Sequence, residues 1–170
     1  MSRPRCFHCA SVAQTIALGR ALGEAAQAGD VIALHGELGA GKTQLVRGLA
    51  EGLGLDPRQV SSPTFVISHE YLPPDHAQPS VLCLIHVDAY RLSGPEELRS
   101  IGLGETDDEP LEDSVLVVEW AERVAEALGE DALHVRLEHA EDGRRITLEP
   151  RGSWPARLAT FRPAERRSDE

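Results

Sequence analysis

The sequence predicts an α/β fold: a mainly parallel sheet with helices on both faces and a C-terminal β-hairpin. Three observations predict it. Apolar runs of strand length at residues 31–35, 81–87 and 115–118 alternate with helix-like stretches, the pattern of strands joined by crossovers. The second and third runs are almost unbroken by polar residues, as in strands buried on both faces. Near the end, two alternating segments flank Asp142-Gly143, a strong hairpin signal.

In chain order, residues 11–28 read as an amphipathic helix that Ser11 can cap and Gly29-Asp30 ends. Strand 31–35 leads into Gly36-Glu37-Leu38-Gly39-Ala40-Gly41-Lys42-Thr43, which reads G-x-x-x-x-G-K-T. A helix over residues 42–53 follows, closed by Gly54 and Pro57. Ser61-Ser62-Pro63-Thr64 is a polar loop before a β-rich stretch at 65–71, which Pro73-Pro74 breaks. Run 81–87 ends at Asp88, and Pro95 starts a short helix. Residues 105–113 hold six carboxylates in nine positions, read as a solvated loop. Run 115–118 ends at Glu119-Trp120, and a helix is expected over 121–128.

Length and composition suit one domain over residues 1–150, with an Arg/Pro-rich, poorly ordered tail at 151–170. Aromatics are only 4%, so Leu, Val and Ala must fill the interior. No apolar run approaches the roughly 20 residues of a membrane span, and residues 1–9 lack the apolar segment of a secretory leader. A cytoplasmic location is the expectation. The net charge of −11 repels nucleic acid, so direct DNA or RNA binding is not expected. Cys6-Phe7-His8-Cys9 has the spacing of half a metal site, but no second Cys or His pair completes it, so metal binding there is not expected, although His35, His69 or His86 can approach it in space. Cys83 reads as a small core residue.

The strand–loop–helix context turns the glycine-rich pattern into a mechanism, and the fold expectation into a three-layer P-loop NTPase-like one. Backbone N–H groups of Glu37, Leu38, Gly39, Ala40 and Gly41 and the following helix N-terminus would face a phosphate. Lys42 would reach the β- and γ-phosphates, and the Thr43 hydroxyl would bind Mg²⁺. A carboxylate must complete the Mg²⁺ site, and Asp88 and Glu119 are the candidates, each following an apolar run. Either can instead cap a helix or pair with Arg91 or Arg123. Thr64 resembles a threonine that senses the γ-phosphate, and Trp120 reads as core or surface anchor.

Four blocks then carry a resemblance: the 36–43 loop, Ser62-Pro63-Thr64-Phe65, His86-Val87-Asp88-Ala89-Tyr90-Arg91-Leu92 with Pro95-Glu96-Glu97-Leu98, and Val118-Glu119-Trp120. With the first helix and the hairpin they make residues 11–149 resemble TsaE (formerly YjeE), the P-loop ATPase family of bacterial threonylcarbamoyl-adenosine tRNA modification. The resemblance implies ATP/ADP and Mg²⁺ as ligands. It gives Glu119 as the Mg²⁺-associated glutamate, Asp88 as the Walker-B-like aspartate, Thr64 as a switch-loop residue and Trp120 as important for activity. Ser11, Val12 and Gly143 would lie near the base. The implied partners are TsaD and TsaB, with tRNA met only through that complex. Gln44 and Ala89 depart from the common pattern without touching this chemistry.

No arginine finger is evident beyond Arg47 and Arg91, and such a finger is worth about 10³–10⁵ in turnover elsewhere. Weak ATPase activity alone, raised by a partner, is therefore expected. Two other readings stay open. One is a small-molecule P-loop kinase, for which the acidic stretch 105–113 would make a poor phosphate lid. The other is a non-catalytic switch or GTPase-like regulator; the guanine-selecting Asn-Lys-x-Asp block is absent, so GTP preference is unsupported.

Overall fold

The structure, a computed structural model, describes residues 3–63, 67–74, 83–103 and 113–162. Seven strands form one sheet in the order β1-β7-β6-β2-β5-β4-β3. They are β1 (Arg5–Cys9), β2 (Val31–His35), β3 (Ser68–Tyr71), β4 (Cys83–Asp88), β5 (Ser114–Glu119), β6 (Leu133–Ala140) and β7 (Gly143–Glu149). The central β6-β2-β5-β4 strands pair in parallel, while β3, β7 and β1 join by antiparallel pairs. Five of the seven strands thus run in one direction, and the antiparallel pairing lies at the two edges.

Alternation along the strands divides the core. Ile32, Leu34, Val115 and Val117 pack on the face covered by α1 (Val12–Ala25), α2 (Lys42–Gly52) and α4 (Trp154–Ala159). Ala33, Leu116 and Val118 face the other way, toward α3 (Pro95–Ser100) and the turns after β5. Period-two patterning is enough to produce both faces from one strand.

Helices α1 and α2 approach each other backbone to backbone. A Cβ on Gly19 would collide with the Leu45 carbonyl oxygen, and one on Gly48 with that of Ile16. Glycine lowers helix propensity by about 1 kcal/mol; here the absence of Cβ is what permits the contact. Ser11 caps α1, accepting from the Gln14 N–H at 3.2 Å.

The structure differs from the sequence expectation in four places. A strand, β1, forms at the N-terminus and pairs with β7. It leaves Cys6 exposed and Cys9 buried, because residues three apart in a strand face opposite sides, so the pair cannot clasp one metal. The helix expected over 121–128 is two 3₁₀ turns, Ala121–Arg123 and Ala125–Ala127. Ala121, Val124 and Ala127 are buried, a period of three that fits the 3₁₀ repeat rather than 3.6. The hairpin turns through Glu141-Asp142, with Gly143 already paired to Ala140. Finally, the segment from 151 is not simply a loose tail: α4 buries Trp154, Leu158 and Phe161 follow it into the core, and Arg157 grips Asp30 through both nitrogens. Those three apolar side chains supply the burial that the arginine-rich composition disguised. Residues 163–170, the stretch 104–112 and the 64–66 segment lie outside the described residues.

Candidate functional site

Strand register sets the site. Glu119 at the end of β5 pairs with Asp88 at the end of β4 and with Leu34 on β2, one residue before His35 and two before the glycine-rich loop. The carboxyl ends of three parallel strands therefore stand level, where ligands of such sheets bind. The loop turns sharply because Gly39 and Gly41 take φ of 76° and 102°. Gly36 has no room for a Cβ against the Leu137 carbonyl.

Thr43 opens α2 facing β5, and its hydroxyl donates to Glu119 Oε1 at 3.0 Å. Glu119 is 3% exposed and also accepts from His86 Nε2 at 2.9 Å. Lys42 is buried, and its ammonium donates to the Gly36 and Glu37 carbonyls at 2.6 and 2.9 Å. Burial pushes the Lys42 pKa down, while Glu119, Glu122 and Asp88 pull it back up. The ammonium sits 4.1 Å from the centre of the Trp120 ring. Trp120 is the one non-glycine residue with positive φ among the described residues (57°), a conformation unusual for a bulky side chain. Its ring lies 4.9 Å from that of Tyr90. Asp88 behaves differently: it accepts from the Tyr90 N–H and so caps its own 3₁₀ turn.

These residues border a cavity of about 530 Å³, in the range of roughly 300–1,000 Å³ for small-molecule sites. Leu38, Gly39, Gly41, Lys42 and Thr43 form one wall, and Asp88, Glu119 and Trp120 a second. The third wall comes from the β1–α1 junction and the hairpin, and it contains Ser11, Val12 and Gly143. Of the other loop residues, Glu37 contributes its carbonyl to Lys42 and Ala40 is buried beneath the loop. Thr64 lies outside the described residues. Arg47 bonds Val60 and Gln44 instead of the cavity.

Sequence reasoning missed two contributors. Arg144 lines the cavity and donates to the Gly39 and Ala40 carbonyls at 3.0 and 3.1 Å, tying the hairpin to the loop. His86 was visible only as a polar interruption of an apolar run; its place beside Glu119 depends on strand register. For a hard divalent cation the oxygens of Thr43, Glu119 and Asp88 are a fitting donor set.

Fold and loop define an α/β protein whose central strand runs into a G-x-x-x-x-G-K-T turn and a helix. The chain belongs to the TsaE family: the family model described as "Threonylcarbamoyl adenosine biosynthesis protein TsaE" matches residues 9–147. A relative from Streptomyces coelicolor, named tRNA threonylcarbamoyladenosine biosynthesis protein TsaE, is 49% identical over 137 residues, covering 77% of this chain and 86% of the relative. The Bacillus subtilis protein of the same name is 39% identical over 136 residues, covering 79% and 78%. Among solved structures, the crystal structure of Bacillus subtilis YdiB superposes with a TM-score of 0.70 at 27% identity, over 95% of each chain. No helix among the described residues is long and apolar enough to cross a membrane.

Proposed function

We propose that this chain is the Mg²⁺-dependent ATP-binding and ATP-hydrolysing subunit required for threonylcarbamoyladenosine modification of tRNA beside the anticodon, working with TsaD and TsaB in the cytoplasm. The observation that carries the reading is the bond from Thr43 to Glu119, which joins the head of α2 to the end of β5 at the mouth of the glycine-rich loop. Membership of the TsaE family supports the pathway. In this reading the fold is a three-layer P-loop NTPase-like one.

The phosphates of ATP or ADP rest on the 36–43 loop, and Lys42 exchanges its two carbonyl partners for phosphate oxygens. Thr43, Glu119 and Asp88 hold Mg²⁺, which neutralises charge on the phosphates. Trp120 shields Lys42, Thr64 belongs to the switch loop, and Ser11, Val12 and Gly143 bound the base. Arg144 is committed to loop carbonyls, so the site has no spare arginine pointed at the phosphates among its described lining residues. Slow turnover alone and stimulation by partners follow.

Reconstitution with TsaB and TsaD tests the reading. Multiple-turnover tRNA modification should depend on this chain and on ATP, with ADP and free phosphate as products. Modification indifferent to the chain would contradict the pathway, and a phosphorylated small-molecule acceptor would identify a kinase instead.

A further inference from the structure

His86 is fully buried, 0% exposed, and the chemistry above gives it no part. It stands on β4 two residues before Asp88 and pairs with Val117 in the β4–β5 ladder. Alternation then turns His86, Asp88 and Glu119 to one face of the sheet, the face on which α2 begins. His86 Nε2 lies 2.9 Å from Glu119 Oε1, the oxygen that also accepts from Thr43. Its other nitrogen, Nδ1, lies 3.3 Å from the Tyr71 hydroxyl. That hydroxyl has a single proton: given to Nδ1, it fixes the tautomer whose Nε2–H donates to Glu119, while its oxygen accepts from the Ser61 N–H at 3.4 Å and lies 3.2 Å from the Ser61 carbonyl. A chain of side chains thus runs from α2 through β5, β4 and β3 to the stem of the loop at residues 61–63.

A glutamate at a strand end has three side-chain torsions and no intrinsic reason to face α2. Removed from water, its carboxylate also requires donors. The geometry points to His86, backed by Tyr71, as the positioning residue of this site: it holds the Glu119 carboxylate in the orientation that meets the Thr43 hydroxyl. Partners of this kind, one step removed from a metal, orient its ligands and tune their affinity. The inference rests on the reading of Glu119 as a Mg²⁺ ligand. A residue that merely filled space would be replaceable by any side chain of similar volume. A positioning residue needs a donor at the place of Nε2.

His86→Gln and His86→Asn separate these roles, because the glutamine amide nitrogen reaches the Nε2 position and that of asparagine does not. The measurements are crystal structures of both variants, thermal midpoints, and ATPase rates titrated with Mg²⁺. In His86→Asn, Glu119 should leave Thr43, half-saturating Mg²⁺ should rise and kcat should fall, by about 10–100-fold. KM for ATP at saturating Mg²⁺ should stay within about threefold, since ground-state binding by the loop is untouched. His86→Gln should keep the Glu119–Thr43 bond and recover most of the activity. An unmoved Glu119 in His86→Asn, or equal losses in both variants, overturns the inference.

Should His86→Asn not fold, Tyr71→Phe removes one hydroxyl from the same chain. A shifted Glu119 and a raised Mg²⁺ requirement are expected there, and the absence of both overturns the relay. If the unaltered protein shows no Mg²⁺-dependent hydrolysis, the ATPase reading fails by itself, and the crystal structures still decide what positions Glu119.

Discussion

The two flanks of β2 serve the loop that leaves it in different ways. On the β5–β4 side stand acids with their partners: Glu119 between Thr43 and His86, and Asp88 capping its own turn. On the β6–β7–β1 side none of the cavity-lining residues is an acid. That flank offers backbone and one guanidinium, with Arg144 holding Gly39 and Ala40 and Gly143 packed against Cys9. The difference teaches that chemistry and shape are assigned to separate halves of the sheet. Substitutions on the two flanks should therefore fail in different ways.

The largest effect is expected from Glu119→Ala. Partners one step from a metal are worth up to about 100-fold, so loss of Glu119, the group such a partner orients, should reduce ATP hydrolysis by more than that. The fold should survive, as circular dichroism and the thermal midpoint can verify. On the other flank, Gly143→Ala should affect stability first. Gly143 has φ of 140°, and a Cβ would collide with the Cys9 carbonyl. Such strain costs about 1–3 kcal/mol, and 2 kcal/mol corresponds to roughly 4–8 °C in melting temperature for a chain of this size. A melting scan that leaves Gly143→Ala unchanged would contradict the close packing of the hairpin on β1.

Arg144→Ala should be milder and should weaken binding more than turnover. Its bonds to Gly39 and Ala40 are each worth on the order of 1 kcal/mol, so KM for ATP should rise roughly five- to thirtyfold while kcat holds. A large loss of kcat would instead put Arg144 among the catalytic groups and erase the contrast between the flanks.

What could be read from the sequence follows the same division. The loop announces itself, and Asp88 and Glu119 stand out as acids that end apolar runs. As site residues, Ser11, Val12 and Gly143 are given only by family resemblance, since a capping serine, a valine and a turn glycine carry no signal of ligand chemistry. His86 needed the β4–β5 register. Strand β1 and helix α4 depend on each other across the length of the chain: Arg5 donates to the carbonyls of Leu158 and Phe161. No local pattern encodes that contact. The glycines at 19 and 48 give no local sign of their partners, and the structure sets each against the other helix's backbone.

The last expected effect concerns pH. His35 Nε2 and His134 Nδ1 lie 2.9 Å apart on the β6 flank. Burial, with Arg151 and His35 nearby, pushes the His134 pKa from 6.5 down to about 4, and burial also lowers that of His35 despite Glu122. A histidine held neutral by folding contributes fully above its unfolded pKa, and the contribution is lost as pH falls from 6.5 toward 4. The melting temperature should decline between pH 7 and pH 5, and His134→Gln should flatten that decline. Equal slopes for the two proteins would remove the pair from the pH response.

The most direct measurement is a crystal structure with Mg²⁺ and a non-hydrolysable ATP analogue. The account predicts phosphates on the 36–43 loop, Lys42 turned from the Gly36 and Glu37 carbonyls to phosphate oxygen, and Mg²⁺ on Thr43 with Glu119 bound directly or through one water. A nucleotide seated elsewhere, or a metal that leaves both Thr43 and Glu119 untouched, would contradict it.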